Sequence, residues 1–103
     1  MEAKAWSNGQ NHFGISVGVI NRRKYFNSSW ESIEVEIEGK VYSFKLTPKF
    51  WTTCPEFRDR GEPVIEEWLK KYKSLEWEYG KPPAMNLNEL GEAKFRLAQP
   101  WGD

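Results

Sequence analysis

The feature that most constrains the fold is a helical repeat of apolar residues in the second half of the chain. Residues with this spacing lie in one stripe on an α-helix. Glutamates come early and lysines late on the opposite face, as the helix dipole favours, and Pro63 suits the first helical position. The pattern therefore predicts a helix over residues 63–73. Its apolar stripe is Val64, Ile65, Trp68, Leu69 and Tyr72.

A shorter helix is expected just before this one. The Thr-Pro pair at residues 47–48 is typical of a helix start, and Phe50, Trp51 and Cys54 then share one face. We expect one or two turns, with Cys54 in the core as a small apolar filler. Since burial makes a thiol inert, Cys54 is a poor candidate for a nucleophile activated by His12.

A β-hairpin is the clearest local pattern. Apolar residues alternate with glutamates over residues 33–38, and a second alternating run covers residues 41–46. The glycine and lysine between the two runs suit a two-residue type II′ turn. That turn pairs Ile37 with Tyr42 and leaves the glutamates on the solvent face.

Two further strands complete the expected sheet. Residues 13–20 alternate large apolar residues with glycine and serine, and residues 93–98 alternate apolar residues with Lys94 and Arg96. The small face of the first strand lets a tryptophan such as Trp6 come close. We expect an α+β fold, in which an antiparallel sheet of about four strands carries the short and the longer helix on one face. A partly open β-barrel of the same strands is the alternative.

Composition limits the class of protein. The 103 residues suit a single domain spanning residues 1–103, and 15 basic residues balance 15 acidic ones. One cysteine cannot form an internal disulfide, and no apolar run has membrane length, so we expect a cytoplasmic protein that does not bind membranes. One histidine and one cysteine do not supply the ligands of a structural zinc site. We therefore expect no metal and no cofactor.

Two polar segments are the candidate binding residues. The first 12 residues are expected to form a loop, and its side-chain amides can donate and accept hydrogen bonds. A basic run after the first strand could meet phosphates, and Arg58 with Arg60 could add to the same surface. The candidate binding residues are Asn8, Gln10, Asn11, His12, Arg22, Arg23 and Lys24.

These features favour a small non-catalytic binding domain whose partner is nucleic acid or a protein. The aromatic content of 16% suits either partner. An accessory subunit of a larger assembly is one alternative, and a small enzyme using His12 is another. The oligomeric state is left open.

Four short motifs resemble a pattern found in short uncharacterised bacterial proteins. This resemblance covers most of the chain and implies no activity and no catalytic residues. A looser resemblance is to the B3-like pseudobarrel of some restriction-enzyme DNA-recognition domains, which are also small and β-rich. The four motifs are WSNG at 6–9, FWTTCPEFR at 50–58, WL at 68–69 and GKPP at 80–83.

Overall fold

Ten regular elements occur in the residues that the structure, a computed structural model, describes, namely 1–9 and 12–98. The strands are β1 (Glu2–Ser7), β2 (Phe13–Ser16), β3 (Ser32–Ile37), β4 (Lys40–Lys45), β5 (Glu56–Arg58), β6 (Ala84–Gly91) and β7 (Lys94–Ala98). The helices are α1 (Gly18–Tyr25), α2 (Pro48–Thr52) and α3 (Val64–Tyr72).

All seven strands belong to one mixed sheet in the order β4-β3-β7-β6-β1-β2-β5. The β3–β7 pair is parallel, and the other neighbouring pairs are antiparallel. The sheet curls until its two edge strands approach, with the rings of Phe44 and Phe57 at 5.1 Å between centroids. The result is a nearly closed, barrel-like sheet around an aromatic core, in which Phe50, Phe57 and Phe95 are at most 1% exposed.

The predicted four-stranded antiparallel sheet with helices on one face is therefore wrong. Residues 1–9 and 12–98 form seven strands, with one parallel pair, and three short helices. The alternative, a partly open B3-like barrel of the same four strands, is also wrong in its strands, because the barrel-like sheet contains seven. A parallel pair joins segments distant in the chain, so no local turn signal could reveal it.

The N-terminal segment, expected to be a loop, is a strand inside the sheet. β1 lies between β6 and β2, and Ala3 and Ala5 are buried. Alanine is a poor strand former by itself, so the alternation over residues 2–7 gave only a weak signal. Backbone pairing of β1 with both β6 and β2 outweighs the weak strand preference of its alanines.

The strand predicted over residues 13–20 ends early. β2 stops at Ser16, and Gly18 has a φ of +82°, which reverses the chain into α1. The Asn21 amide donates to the carbonyl of Val17 at 3.0 Å and to that of Glu2 at 2.9 Å, which fixes the helix against the sheet. The basic run 22–24 is therefore part of a helix. Ile20, expected at the end of the strand, is 78% exposed.

The hairpin forms with a different turn. Glu38 and Gly39 both have positive φ, 52° and 83°, as a type I′ turn requires. Ile37 therefore pairs with Lys40 instead of Tyr42. The register shifts by two residues, so every side chain keeps its predicted face.

Contacts with α3 anchor the Glu38 side chain at this turn. Its carboxylate accepts hydrogen bonds from Lys71 at 2.7 Å and from the Tyr72 hydroxyl at 2.5 Å. These two donors lower the pKa of the Glu38 carboxyl. These hydrogen bonds from residues 33 and 34 positions later stabilise a turn at Glu38–Gly39. The local sequence predicts the turn one residue later, at Gly39–Lys40.

Both predicted helices are confirmed. α3 buries Ile65, Trp68 and Leu69, as its stripe predicts. α2 ends at Thr52, so Cys54 lies outside it and is exposed, contrary to the prediction of a core position. In the described part of the chain, none of the three helices has the length and apolar character that a membrane crossing requires.

Gly14 is needed where β2 pairs with β5. A Cβ there would overlap the carbonyl oxygen of Phe57 and lie 2.9 Å from the Cβ of Arg58. We expect Gly14→Ala to lower the free energy of unfolding by about 1–3 kcal/mol, the usual effect of overpacking. Urea denaturation followed by tryptophan fluorescence measures the change.

Gly91→Ala is the matched control, since a Cβ on Gly91 meets nothing within 4 Å. It should change stability by less than about 0.5 kcal/mol. Equal effects of the two substitutions would contradict the close approach of β2 and β5.

Candidate anion-binding site

A groove of about 760 Å³ lies between the residue before β2, the start of α2 and the loop after β5. Three separate segments bring four basic side chains to it. We call it the basic groove and define it by His12, Lys49, Arg58 and Arg60. Thr47, Pro48, Asp59 and Gly61 complete its lining.

The basic groove concentrates positive charge in a chain whose formal net charge is zero. On the outer side of β3 and β7, by contrast, Lys94 lies 3.9 Å from Glu34 and Arg96 lies 2.9 Å from Glu36. Within the described ranges, Lys49 makes no ion pair, and neither does Arg60. Their charges are therefore available to an anion.

Arg58 is held in place by an aromatic ring and a carboxylate. Trp6, Gly14 and Arg58 are opposite one another on β1, β2 and β5. Because Gly14 has no side chain, the Arg58 guanidinium reaches across it and lies 4.5 Å from the centre of the Trp6 ring. The same guanidinium donates to Glu56 at 3.3 Å.

Glu56 is a buried carboxylate, with only 7% of its surface exposed. Burial raises the pKa of the Glu56 carboxyl, and the charge of Arg58 opposes this rise. The ion pair with Glu56 therefore restricts the orientation of the Arg58 guanidinium, while 40% of the arginine side chain remains exposed. Arg58 presents a charged planar group to the groove at little further conformational cost.

Asp59 in the groove has a structural role. Its two carboxylate oxygens accept the backbone N–H groups of Ile65 at 2.7 Å and Glu66 at 2.9 Å. These are amides of the first turn of α3, which otherwise lack partners. Burial raises the pKa of the Asp59 carboxyl, and the two amides oppose the rise. A carboxylate so engaged is poorly placed to assist His12 as a catalytic partner.

The sequence-predicted polar loop meets the groove at one end. The Asn8 side-chain amide lies 2.9 Å from Nδ1 of His12, and the Asn8 N–H donates to the His12 carbonyl. His12 lines the groove, so the predicted residues Asn8 and His12 belong to this surface or adjoin it. Gln10 and Asn11 lie outside the described residues.

The predicted basic run lies elsewhere. Arg22 donates to the carbonyl of Phe50 at 2.9 Å and thereby joins α1 to α2. Arg23 is exposed, and Lys24 lines a separate groove that also contains Glu89 and Glu92. Of the predicted binding residues that the structure describes, His12 and Lys24 therefore line two different cavities.

The main residues that sequence reasoning missed are in α2 and beside β5. Arg58 and Arg60 were considered as additions to the run 22–24, and they join His12 instead. Lys49 had no signal in the sequence, because it is one exposed lysine on a five-residue helix. Among the described residues, no group of three His, Cys, Asp or Glu side chains could hold a metal ion.

Comparisons with protein-family models, with curated proteins and with solved structures each find no match to this chain. The site therefore has to be interpreted from its own chemistry. The resemblance to short bacterial proteins stays a prediction.

The Glu56–Arg58 pair should make stability depend on pH. Because the folded state binds the Glu56 proton more tightly than the unfolded chain, the free energy of unfolding falls as pH rises from about 4.5 through the raised pKa. Arg58→Met removes the opposing charge, so the pKa rises further. We expect a loss of about 1–3 kcal/mol at neutral pH and a smaller loss near the acid end. Urea titrations across this pH range measure both.

Glu56→Gln is the control for this pH dependence. This substitution removes the titrating carboxyl. In the Glu56→Gln background, Arg58→Met should therefore no longer change how the free energy of unfolding varies with pH. If Arg58→Met produced the same loss at every pH, the proposed cause would be wrong.

The Asp59 contact predicts a helix-capping effect. Asp59→Ala leaves two amides of α3 without an acceptor and should cost about 1–2 kcal/mol of unfolding free energy. Asp59→Asn keeps one acceptor oxygen and should cost less. Thermal and urea denaturation of both variants measure the order, and a neutral Asp59→Ala would contradict the assignment.

Proposed function

We propose that this chain is a non-catalytic binding domain whose basic groove binds the phosphate backbone of single-stranded nucleic acid. The observation that carries the proposal is the convergence of His12, Lys49, Arg58 and Arg60 on one groove in a chain of zero net charge. Phosphate contacts by lysine and arginine supply most of the affinity of non-specific nucleic-acid binding.

The shape of the site favours a single strand over a duplex. The cations surround a concave groove rather than a protruding helix or ribbon that could enter a major groove. The guanidinium of Arg58 lies over the Trp6 ring, 4.5 Å from its centre. A planar arginine held in this way is a surface on which unpaired bases stack.

The outer side of β3 and β7 is a poorer place for a polyanion than the basic groove. The outer side of β3 and β7 has alternating charges that neutralise each other, since Glu34 and Glu36 pair with Lys94 and Arg96. A polyanion gains little there. We also propose the cytoplasm as the compartment, because the single, exposed Cys54 suits a reducing environment.

Fluorescence anisotropy with labelled oligo-dT and oligo-U of about twelve nucleotides tests this function. We expect binding at about 50 mM salt that weakens steeply towards about 200 mM. Replacing Lys49 and Arg60 together by alanine should weaken binding and reduce the slope of log K against log salt by about 0.7 for each lost phosphate contact.

The matched control replaces Lys94 and Arg96 by alanine, which removes the same charges from a paired surface. It should bind like the wild type. No binding at low salt, or equal losses in the two double variants, would overturn the proposal. The prediction for Arg22, Arg23 and Lys24 is tested in the same assay with Arg23→Ala and Lys24→Ala.

A further inference from the structure

β4 is an edge strand with an open side. Among the described residues, its one strand neighbour is β3, and antiparallel residues alternately direct their backbone groups towards the partner and away from it. The two-residue turn makes Ile37 and Lys40 a hydrogen-bonded pair. At the other end, the Leu46 N–H donates to the Glu31 carbonyl at 2.9 Å, which keeps the same alternation. Val41 and Ser43 therefore direct their N–H and C=O groups away from β3.

The opposite edge of the sheet does not reach these groups. β5 has only three residues, and its contact with β4 includes the ring pair Phe44–Phe57. Within the described ranges, no backbone hydrogen bond engages Val41 or Ser43 on the open side. An unpaired edge of this kind is a template for another strand.

A groove runs along this open edge. A cavity of about 270 Å³ is lined on one side by the four consecutive residues 41–44, and on the other by Arg60, Glu62 and Val64. A second cavity of about 390 Å³ continues to the hairpin tip and shares Tyr42, Glu62 and Val64 with the first. We call the two together the edge groove. Because both cavities border β4 and share these three lining residues, the space suits an extended chain.

The walls of the edge groove are held at a fixed separation. Glu38 at the hairpin tip is bonded to Lys71 and Tyr72 of α3, at 2.7 and 2.5 Å. This contact ties one wall to the other at the end of the groove. Because the groove is already formed, less conformational entropy is lost when a ligand binds.

The charge of the edge groove selects the occupant. Glu62 and Glu67 line the cavity at the hairpin tip, and neither makes an ion pair within the described part of the chain. Glu38 is neutralised by Lys71, and Lys40 offsets one further carboxylate. The cavity at the hairpin tip thus keeps a negative charge and has Trp68 in its lining, while Arg60 adds a positive charge to the lining of the other cavity.

From these contacts we infer that the edge groove binds an extended segment of a partner protein, which adds as a strand to β4. Backbone hydrogen bonds to Val41 and Ser43 supply the pairing. A lysine or arginine of the partner lies against Glu62 and Glu67. This is strand addition with one charged specificity pocket. The inference does not rest on the proposed nucleic-acid function, although Arg60 lines both grooves.

The probe is a synthetic six-residue peptide that alternates lysine with valine and threonine, with both ends capped. It is titrated into the full ¹⁵N-labelled chain. We expect amide shifts centred on Val41 and Ser43, and hydrogen exchange of these two amides slowed about tenfold or more at saturation. Replacing Glu62 and Glu67 together by glutamine should weaken binding about five- to tenfold. Arg60 is left unchanged, because it also belongs to the basic groove.

Three controls separate strand addition from charge attraction. The same peptide with alternate backbone nitrogens methylated cannot pair and should not bind, and a peptide with glutamate in place of lysine should bind more weakly. Val41→Pro removes an outward N–H, which an edge strand tolerates, and should abolish binding, while Val41→Thr should not. Equal binding of the methylated peptide, absence of shifts at Val41 and Ser43, or a dimer of the free chain paired through these residues would overturn the proposal.

Discussion

The parallel pairing of β3 with β7 is the interaction on which the rest of the structure depends. It attaches the β3–β4 hairpin to strands formed some 60 residues later, with Val35 beside Phe95 on the inner face. Both side chains are at most 1% exposed. Without this pairing the hairpin would have no place in the sheet, and β4 could not approach β5. The barrel-like closure, the core beneath it and both grooves follow from this non-local contact.

Incomplete closure places the two candidate binding surfaces side by side. The edge strands meet at Phe44 and Phe57, and the chain from Asp59 to Pro63 crosses the gap that remains. One side of this crossing forms the basic groove, and the other forms the edge groove. Arg60 lines both. A nucleic acid in one groove and a peptide in the other would therefore share one cation, so the two ligands need not bind independently.

Local patterns in the sequence were reliable where the partner of a pattern is near in the chain. The stripe of α3 depends on residues three and four apart, and the alternation in β3 and β4 depends on a two-residue turn. These features predicted which faces are buried even though the turn itself was misplaced. The alternation over residues 13–20 failed because Gly18 changes the backbone direction without interrupting the apolar pattern. Asn21 then secures the helix through bonds to Val17 and Glu2.

The candidate site was less predictable for the same physical reason. Sequence order grouped Arg22, Arg23 and Lys24, but a helix disperses neighbouring side chains around its axis. Arg22 bonds to α2, and Lys24 lies near Glu89 and Glu92. The basic side chains that do converge come from positions 12, 49, 58 and 60. Their common position depends on how β2, α2 and β5 are arranged in the fold.

The sequence by itself determined the apolar stripe of α3, the start of α2, and the buried faces of the β3–β4 hairpin and of β7. These follow from spacing and turn chemistry within short segments. Tertiary structure decided that residues 2–7 form a strand, that β3 and β7 are parallel, and that Cys54 is exposed. It also decided which cations share a groove. Each of these outcomes depends on backbone hydrogen bonds and packing between segments far apart in the chain, and such contacts leave no periodic signal in either segment alone.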